Sequence, residues 1–204
     1  MNGRFITLDG GEGVGKTTQL AYIRAWCSAN HIEACFGREP GGTPFGEQLR
    51  AILLDPTTKA DPISELLLIL AARRAHLEQT ILPRLARGAW YISDRYRDAT
   101  YAYQHYGRGI PAATIAALEQ ASGTDRVPDL SLILGSSSAT ARDRLSGRGQ
   151  SADRFENENS DFHARVAAGY RARATAPHAR WIDAEGDPDT VFARISPHLE
   201  ALLP

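Results

Sequence analysis

Cysteine is scarce in this 204-residue chain: Cys27 and Cys35 are the two present, at a spacing that makes no metal site and no disulfide framework. Cys27 falls on the apolar face of a predicted first helix and Cys35 in a predicted second strand, as expected of buried free thiols in a reducing compartment. Net charge is scarce too. Lysine and arginine number 23 against 24 acids, a balance of −1, so no basic field draws the chain to nucleic acid or an anionic membrane surface. Long apolar runs are missing: the longest, around Leu66 to Ala72, falls far short of the ~18 residues a membrane span needs. There is no internal repeat and no linker composition, which leaves one domain over residues 1–204. A glycine loop opening at residue 10 leaves no stretch for a signal peptide, so a cytoplasmic protein is expected.

That loop is what the chain does have. Gly10-Gly11-Glu12-Gly13-Val14-Gly15-Lys16-Thr17 matches G-x-x-x-x-G-K-[ST] at every fixed position. Phe5-Ile6-Thr7-Leu8 before it reads as a buried strand, and Leu20, Ile23, Trp26 and Cys27 after it recur at helical spacing. Strand, glycine loop and helix make a phosphate site, because glycines let successive N–H groups turn inward and the helix N-terminus adds its positive dipole end. Lys16 is expected on the β/γ-phosphates and the Thr17 hydroxyl on Mg²⁺.

Further along, residues 31–36 predict a second strand, followed by the Pro40-Gly41-Gly42 turn. Phe45, Leu49, Ile52 and Leu53 mark a helix stopped at Asp55-Pro56. Residues 63–80 predict a helix apolar on most sides, interrupted by Arg73 and Arg74, of which one needs an inward partner. Pro83 opens a short helical turn that Gly88 ends. Trp90 to Asp94 is a strand with a carboxylate at its end, a place suited to a Mg²⁺-associated acid, and Arg95 beside it could grip a phosphate. Thr100, Tyr103 and Gln104 share adjoining helical faces suited to reading a base edge. A helix over 112–121, strands over 130–134 and 179–183, a helix through Tyr170 to about Thr175 and a last one over 188–203 complete the pattern. Between them, residues 140–157 place Arg142, Arg144, Arg148 and Arg154 among glycines and small polar residues, which reads as a lid of about 142–156 that brings positive charge to a phosphate. The fold class is therefore α/β: a mainly parallel five-stranded sheet of the P-loop NTPase kind, helices on both faces, and a small mobile lid.

Together these stretches resemble thymidylate kinases. The resemblance is carried by Arg38-Glu39-Pro40-Gly41-Gly42-Thr43, Ala71-Ala72-Arg73, Asp94-Arg95-Tyr96 with Ala102-Tyr103-Gln104, Gly107-Arg108-Gly109, Pro128-Asp129-Leu130 and Asp153-Arg154-Phe155-Glu156, in that order. It implies ATP-dependent phosphorylation of dTMP with Mg²⁺ held at Thr17 and Asp94. Lys16, Arg95, Glu12, Arg148 and Arg154 would be catalytic, the last two supplied by the lid because Val14 is apolar where one branch of the family has arginine. ATP would lie on Gly10 to Thr18 and Arg144, and dTMP on Glu12, Arg38, Pro40, Arg50, Ile69, Arg73, Arg95, Thr100, Tyr103 and Gln104. Ile69 stands where the family usually stacks Phe on the base, and Gly135 where it usually has Asp. The resemblance also implies a homodimer, with residues 63–72 as the candidate face. Kinases for another deoxynucleotide or deoxynucleoside, and a nucleotide switch, are the alternatives. Against the switch, Asp183-Ala184-Glu185-Gly186 mimics D-x-x-G only near the C-terminus, and no N-K-x-D occurs.

Overall fold

The structure, a computed structural model, describes residues 3–146 and 154–203. Five strands form one parallel sheet in the order β2-β3-β1-β4-β5: β1 Phe5–Gly10, β2 Ala34–Arg38, β3 Trp90–Asp94, β4 Leu130–Gly135 and β5 Ala179–Asp183. The register aligns Leu8 with Asp94, Arg38 with Asp94 and Gly135 with Asp183, so the strands finish at one level. The chain turns from one half of the sheet to the other around the central β1, where open α/β sheets hold ligands.

Alternation along the strands divides the core into two layers. Ile6, Leu8, Ile92, Leu132 and Ile182 face Ile23 and Cys27 of α1 (Lys16–Ala29) and Val191 and Ile195 of α9 (Pro188–Glu200). On the other face Phe5 and Tyr91 meet Leu77 and Ile81, while Ile133 meets Phe162, Val166 and Tyr170 of α8 (Ser160–Arg173). Cys27 is buried and Cys35 partly so, both as free thiols.

Two element boundaries differ from the sequence reading. The second strand starts at Ala34 because His31, with φ of 55°, ends the turn out of α1, and the strand runs on through Arg38. The expected helix over 63–80 is α3 (Pro62–His76), followed by a π-helical turn over Leu77–Ile81 and α4 (Leu82–Ala86). Pro83 has no N–H to give to a carbonyl four residues back, and the wider turn falls where that ladder is interrupted. A second π-helical turn, Tyr101–Gly107, follows the short α5 (Arg97–Thr100) and carries Tyr103 and Gln104. Helices α2 (Pro44–Leu54), α6 (Ala112–Ser122) and α7 (Ser138–Ser146) complete the fold. Of the expected lid, residues 147–153, Arg148 among them, lie outside the described residues. Among the described residues no helix is long and apolar enough to cross a membrane.

Candidate active site

The glycine loop joins the end of β1 to the start of α1. Gly10 (φ 136°) has no room for a side chain, since a Cβ would sit 2.4 Å from the Leu134 carbonyl oxygen, and Gly15 (φ 93°) caps α1 in the left-handed region. The helix therefore begins at Lys16, with its N-terminal amides directed at the loop. The Lys16 ammonium donates to the carbonyls of Gly11 (2.7 Å) and Gly10 (3.2 Å). Burial, with the nearby Arg95 charge, lowers its pKa to about 8 despite Glu12, Asp94 and Asp9 close by.

A cavity of about 380 Å³ opens in front of the loop, lined at one end by Glu12, Lys16, Thr17, Asp94 and Arg95 and at the other by Ile69, Arg73, Thr100 and Gln104. Arg95 follows β3 with φ of 67°, a left-handed backbone that a side chain rarely adopts and that active sites often retain. Its amide continues the sheet by donating to Leu8 (3.0 Å), while its guanidinium donates to the Gly10 carbonyl (2.8 Å), the Tyr170 hydroxyl (2.8 Å) and the Glu12 carboxylate. Glu12 also accepts from the Tyr103 hydroxyl at 3.0 Å. Asp94 Oδ1 is buried and has no hydrogen-bond partner.

At the far end Arg73, 1% exposed, is held on all sides. It donates through Nε to Glu39 (2.7 Å), through Nη1 to Glu119 (3.4 Å) and through Nη2 to the Thr100 hydroxyl (2.8 Å). Glu39 is held in turn by His76, whose other nitrogen meets the Tyr91 hydroxyl at 2.7 Å; Glu119 is gripped by Arg97 through two bonds. Arg74, one residue on, is half exposed and pairs with Glu78 on the surface. The inward arginine is Arg73.

A second cavity of about 340 Å³ lies behind the loop, between Gly13, Val14, Thr18, Arg144, Gly186 and Pro188. Arg144 crosses from α7 to donate to the carbonyls of Ala184 and Gly186, each at 3.1 Å. One cavity in front of the loop and one behind it give the site two compartments.

A family model described as thymidylate kinase matches residues 8–195. A thymidylate kinase of Dichelobacter nodosus is 50% identical, over the whole of both chains. One of Chromohalobacter salexigens is 47% identical over 98% of this chain and 97% of its own. The chain belongs to the thymidylate kinase family. A solved structure agrees: the crystal structure of thymidylate kinase from Ehrlichia chaffeensis superimposes with a TM-score of 0.78, at 30% identity, over 98% of this chain and 99% of its own. Membership makes the protein a nucleoside monophosphate kinase, a phosphotransferase of nucleotide biosynthesis built on a P-loop NTPase fold.

Most of the residues expected from the sequence gather in these compartments. Pro40 and Arg50 line the front cavity together, Arg50 donating to the Pro40 carbonyl at 3.0 Å. Two residues do not fall where expected. Arg38 ends the edge strand β2, is exposed, and reaches Glu47 of α2 at 2.8 Å instead of the cavity. Arg154 is not at the phosphate loop: its guanidinium donates to the Leu53 carbonyl (2.8 Å) and to Glu65 (2.7 Å), the acid that also holds Gln104. Gly135 is explained by packing, since a Cβ there would sit 2.0 Å from the Trp181 ring, which leaves no space for an aspartate.

Several residues of the site escaped the sequence reading. Asp9, fully buried beside the loop, has its pKa raised to about 7 by burial and by the neighbouring Asp98 charge. Glu65 and Glu119 are lone acids in apolar helical stretches, the kind of signal that marked Arg73; Glu119 meets Arg73, and Glu65 meets Gln104, Arg108 and Arg154. Gly186, which ends the D-x-x-G-like stretch, lines the rear cavity, and the Ala184 carbonyl beside it holds Arg144.

Proposed function

We propose that the protein transfers the γ-phosphoryl group of ATP to the phosphate of dTMP, with the donor in the rear compartment and over the loop, and the acceptor in the front cavity. The single observation that carries this reading is the wall between the two. Lys16 and Arg95, both cationic donors, stand where the loop meets a cavity whose far end presents Arg73, Thr100 and Gln104. Phosphoryl transfer needs little beyond in-line positioning and neutralisation of charge on the equatorial oxygens. Lys16 and Arg95 supply that at the acceptor phosphate, and Arg148 is proposed to add charge from the lid segment. The Glu12 carboxylate meets the sugar 3′-hydroxyl, and the Tyr103 ring packs on the deoxyribose. Arg73, Thr100 and Gln104 read the base edge, with Ile69 covering its face.

The donor set fits Mg²⁺: the Thr17 hydroxyl and the partnerless Asp94 Oδ1 are hard oxygens at the loop, and Mg²⁺ binds through one or two such groups while phosphates and water complete its shell. Bound there, Mg²⁺ would neutralise charge on the donor phosphates. For the rear cavity, Arg144 and the Ala184–Gly186 carbonyls form the proposed seat of the donor base.

Phe45, Ile52, Ile63 and Leu67 are each 41–49% exposed on α2 and α3, and a second copy of the chain is proposed to cover them. Sedimentation would read one or two copies. A cytoplasmic setting, where ATP is at hand, belongs to the same reading. The deciding experiment is coupled ADP release with dTMP, dUMP, dGMP and thymidine under one ATP concentration. The largest kcat/KM is expected for dTMP; turnover favouring thymidine or dGMP would overturn the proposal.

A further inference from the structure

The base end of the front cavity holds an amide, and an amide has two chemically opposite ends. Gln104 is 1% exposed and lines the cavity. Whether it presents N–H or C=O to a bound base decides which base it accepts. The choice is settled by Glu65, in the first turn of α3, itself 1% exposed. Its Oε1 lies 2.9 Å from the Gln104 side chain and 3.2 Å from Arg108 Nε. Its Oε2 lies 3.1 Å from Arg108 Nη2 and 2.7 Å from Arg154 Nη2. Guanidinium groups only donate, so both Glu65 oxygens are occupied as acceptors. The helix N-terminus beneath adds further preference for a carboxylate there. The Gln104 atom facing Glu65 must therefore be its NH₂, and the carbonyl oxygen is the end left for the cavity.

We propose that Glu65 is a positioning residue that fixes the polarity of the Gln104 amide, so that the site selects an acceptor base with a ring N–H, as in thymine or uracil, over a cytosine ring. The inference rests on Gln104 reading the base edge, as given under the proposed function. The neighbouring wall is fixed in the opposite sense. Arg73 spends one N–H each on Glu39, Glu119 and Thr100, and retains one on each terminal nitrogen. The Thr100 oxygen accepts from Arg73, which leaves its own O–H as a donor. The wall thus offers donors at Arg73 and Thr100 and one acceptor at Gln104. A thymine edge answers with a carbonyl and an N–H. A cytosine edge has an amino group where the carbonyl should be and a bare nitrogen where the N–H should be, so it mismatches at both points.

The test is Glu65→Gln, followed by kcat/KM for dTMP and dCMP. The glutamine's single oxygen belongs at the Oε2 position, between Arg108 and Arg154, which gives up the longer Arg108 Nε bond and puts its NH₂ toward Gln104. Gln104 must then turn its carbonyl to that NH₂ and present its own N–H groups to the base. The preference for dTMP over dCMP is expected to fall about tenfold or more, mainly through a higher KM for dTMP. A merely structural role lowers both acceptors alike, so a folded Glu65→Gln variant with an unchanged ratio overturns the proposal. The swap Glu65→Gln/Gln104→Glu returns an obligate acceptor to the cavity and should restore the preference. If the single variant fails to melt cooperatively the swap decides alone: a folded swap that keeps the preference supports the proposal, and one that has lost it overturns it. Gln104→Leu separates the underlying reading. It should raise the KM for dTMP about tenfold; no change would mean that Gln104 does not touch the base, a failure distinct from that of Glu65.

Discussion

Lys16 is held in its cradle at a cost to the empty protein, and the cost is measurable. Its pKa falls from 10.5 to about 8 because burial penalises the ammonium and Arg95 repels it. At ~1.4 kcal/mol per pH unit, the folded chain loses about 3 kcal/mol by keeping this group charged at neutral pH. Replacing Lys16 with Met keeps the apolar stem and removes the charge. Something is lost as well. The Gly11 carbonyl gives up its donor, worth about 1 kcal/mol, whereas the Gly10 carbonyl keeps Arg95. The net expectation is a variant without turnover that is about 2 kcal/mol more stable, which for a chain of this length raises Tm by roughly 4–8 °C. Calorimetry at pH 7.5 without nucleotide makes the measurement. The sign with pH provides a check. Between pH 8 and 10.5 the unfolded chain binds the proton that the folded one has released, so the parent gains stability as pH rises through that window. The advantage of Lys16→Met should therefore shrink toward pH 10. A variant melting at or below the parent at pH 7.5, or an advantage independent of pH, would refute the argument.

Arg73→Met should cost about 3 kcal/mol or more, because Glu39 and Glu119 stay buried with one partner fewer; denaturant titration reads it, and a change under 1 kcal/mol would contradict the burial. Gly135→Asp should cost about 1–3 kcal/mol by forcing the Trp181 ring aside, and much less in a Trp181→Ala background. Equal costs in both backgrounds would remove the steric explanation.

The phosphate loop was legible in the sequence because it is local: eight consecutive residues carry the strand end, the turn and the helix start. The parallel sheet followed from alternating strand and helix signals. Arg73 was half legible. Composition says that an arginine in an apolar helix needs a partner, but adjacent residues point about 100° apart, and only packing tells Arg73 from Arg74. Glu39 and Glu119 come from separate elements and meet at Arg73 only once the chain folds, as Glu65 meets Gln104, so no spacing announces these contacts. Arg38 and Arg154 show the opposite failure. Each belongs to a short stretch shared with the family, yet where its side chain rests depends on Glu47 and Glu65, partners that no local pattern specifies.

The pairing of Arg95 with Glu12 has a consequence for how substrate enters. The guanidinium is already paired with the loop carboxylate, and Lys16 already donates to two carbonyls. An arriving phosphate does not fall into a bare positive hole. On the roles proposed for these residues, it displaces Glu12 from Arg95, and the carboxylate so released turns to the sugar hydroxyl that arrives with the phosphate. On that proposal, entry is an exchange of partners in which Arg95 trades the loop carboxylate for the phosphate. A free phosphate ion offers only one side of that trade and a nucleoside only the other, so the proposed roles favour a nucleotide, which completes both halves at once.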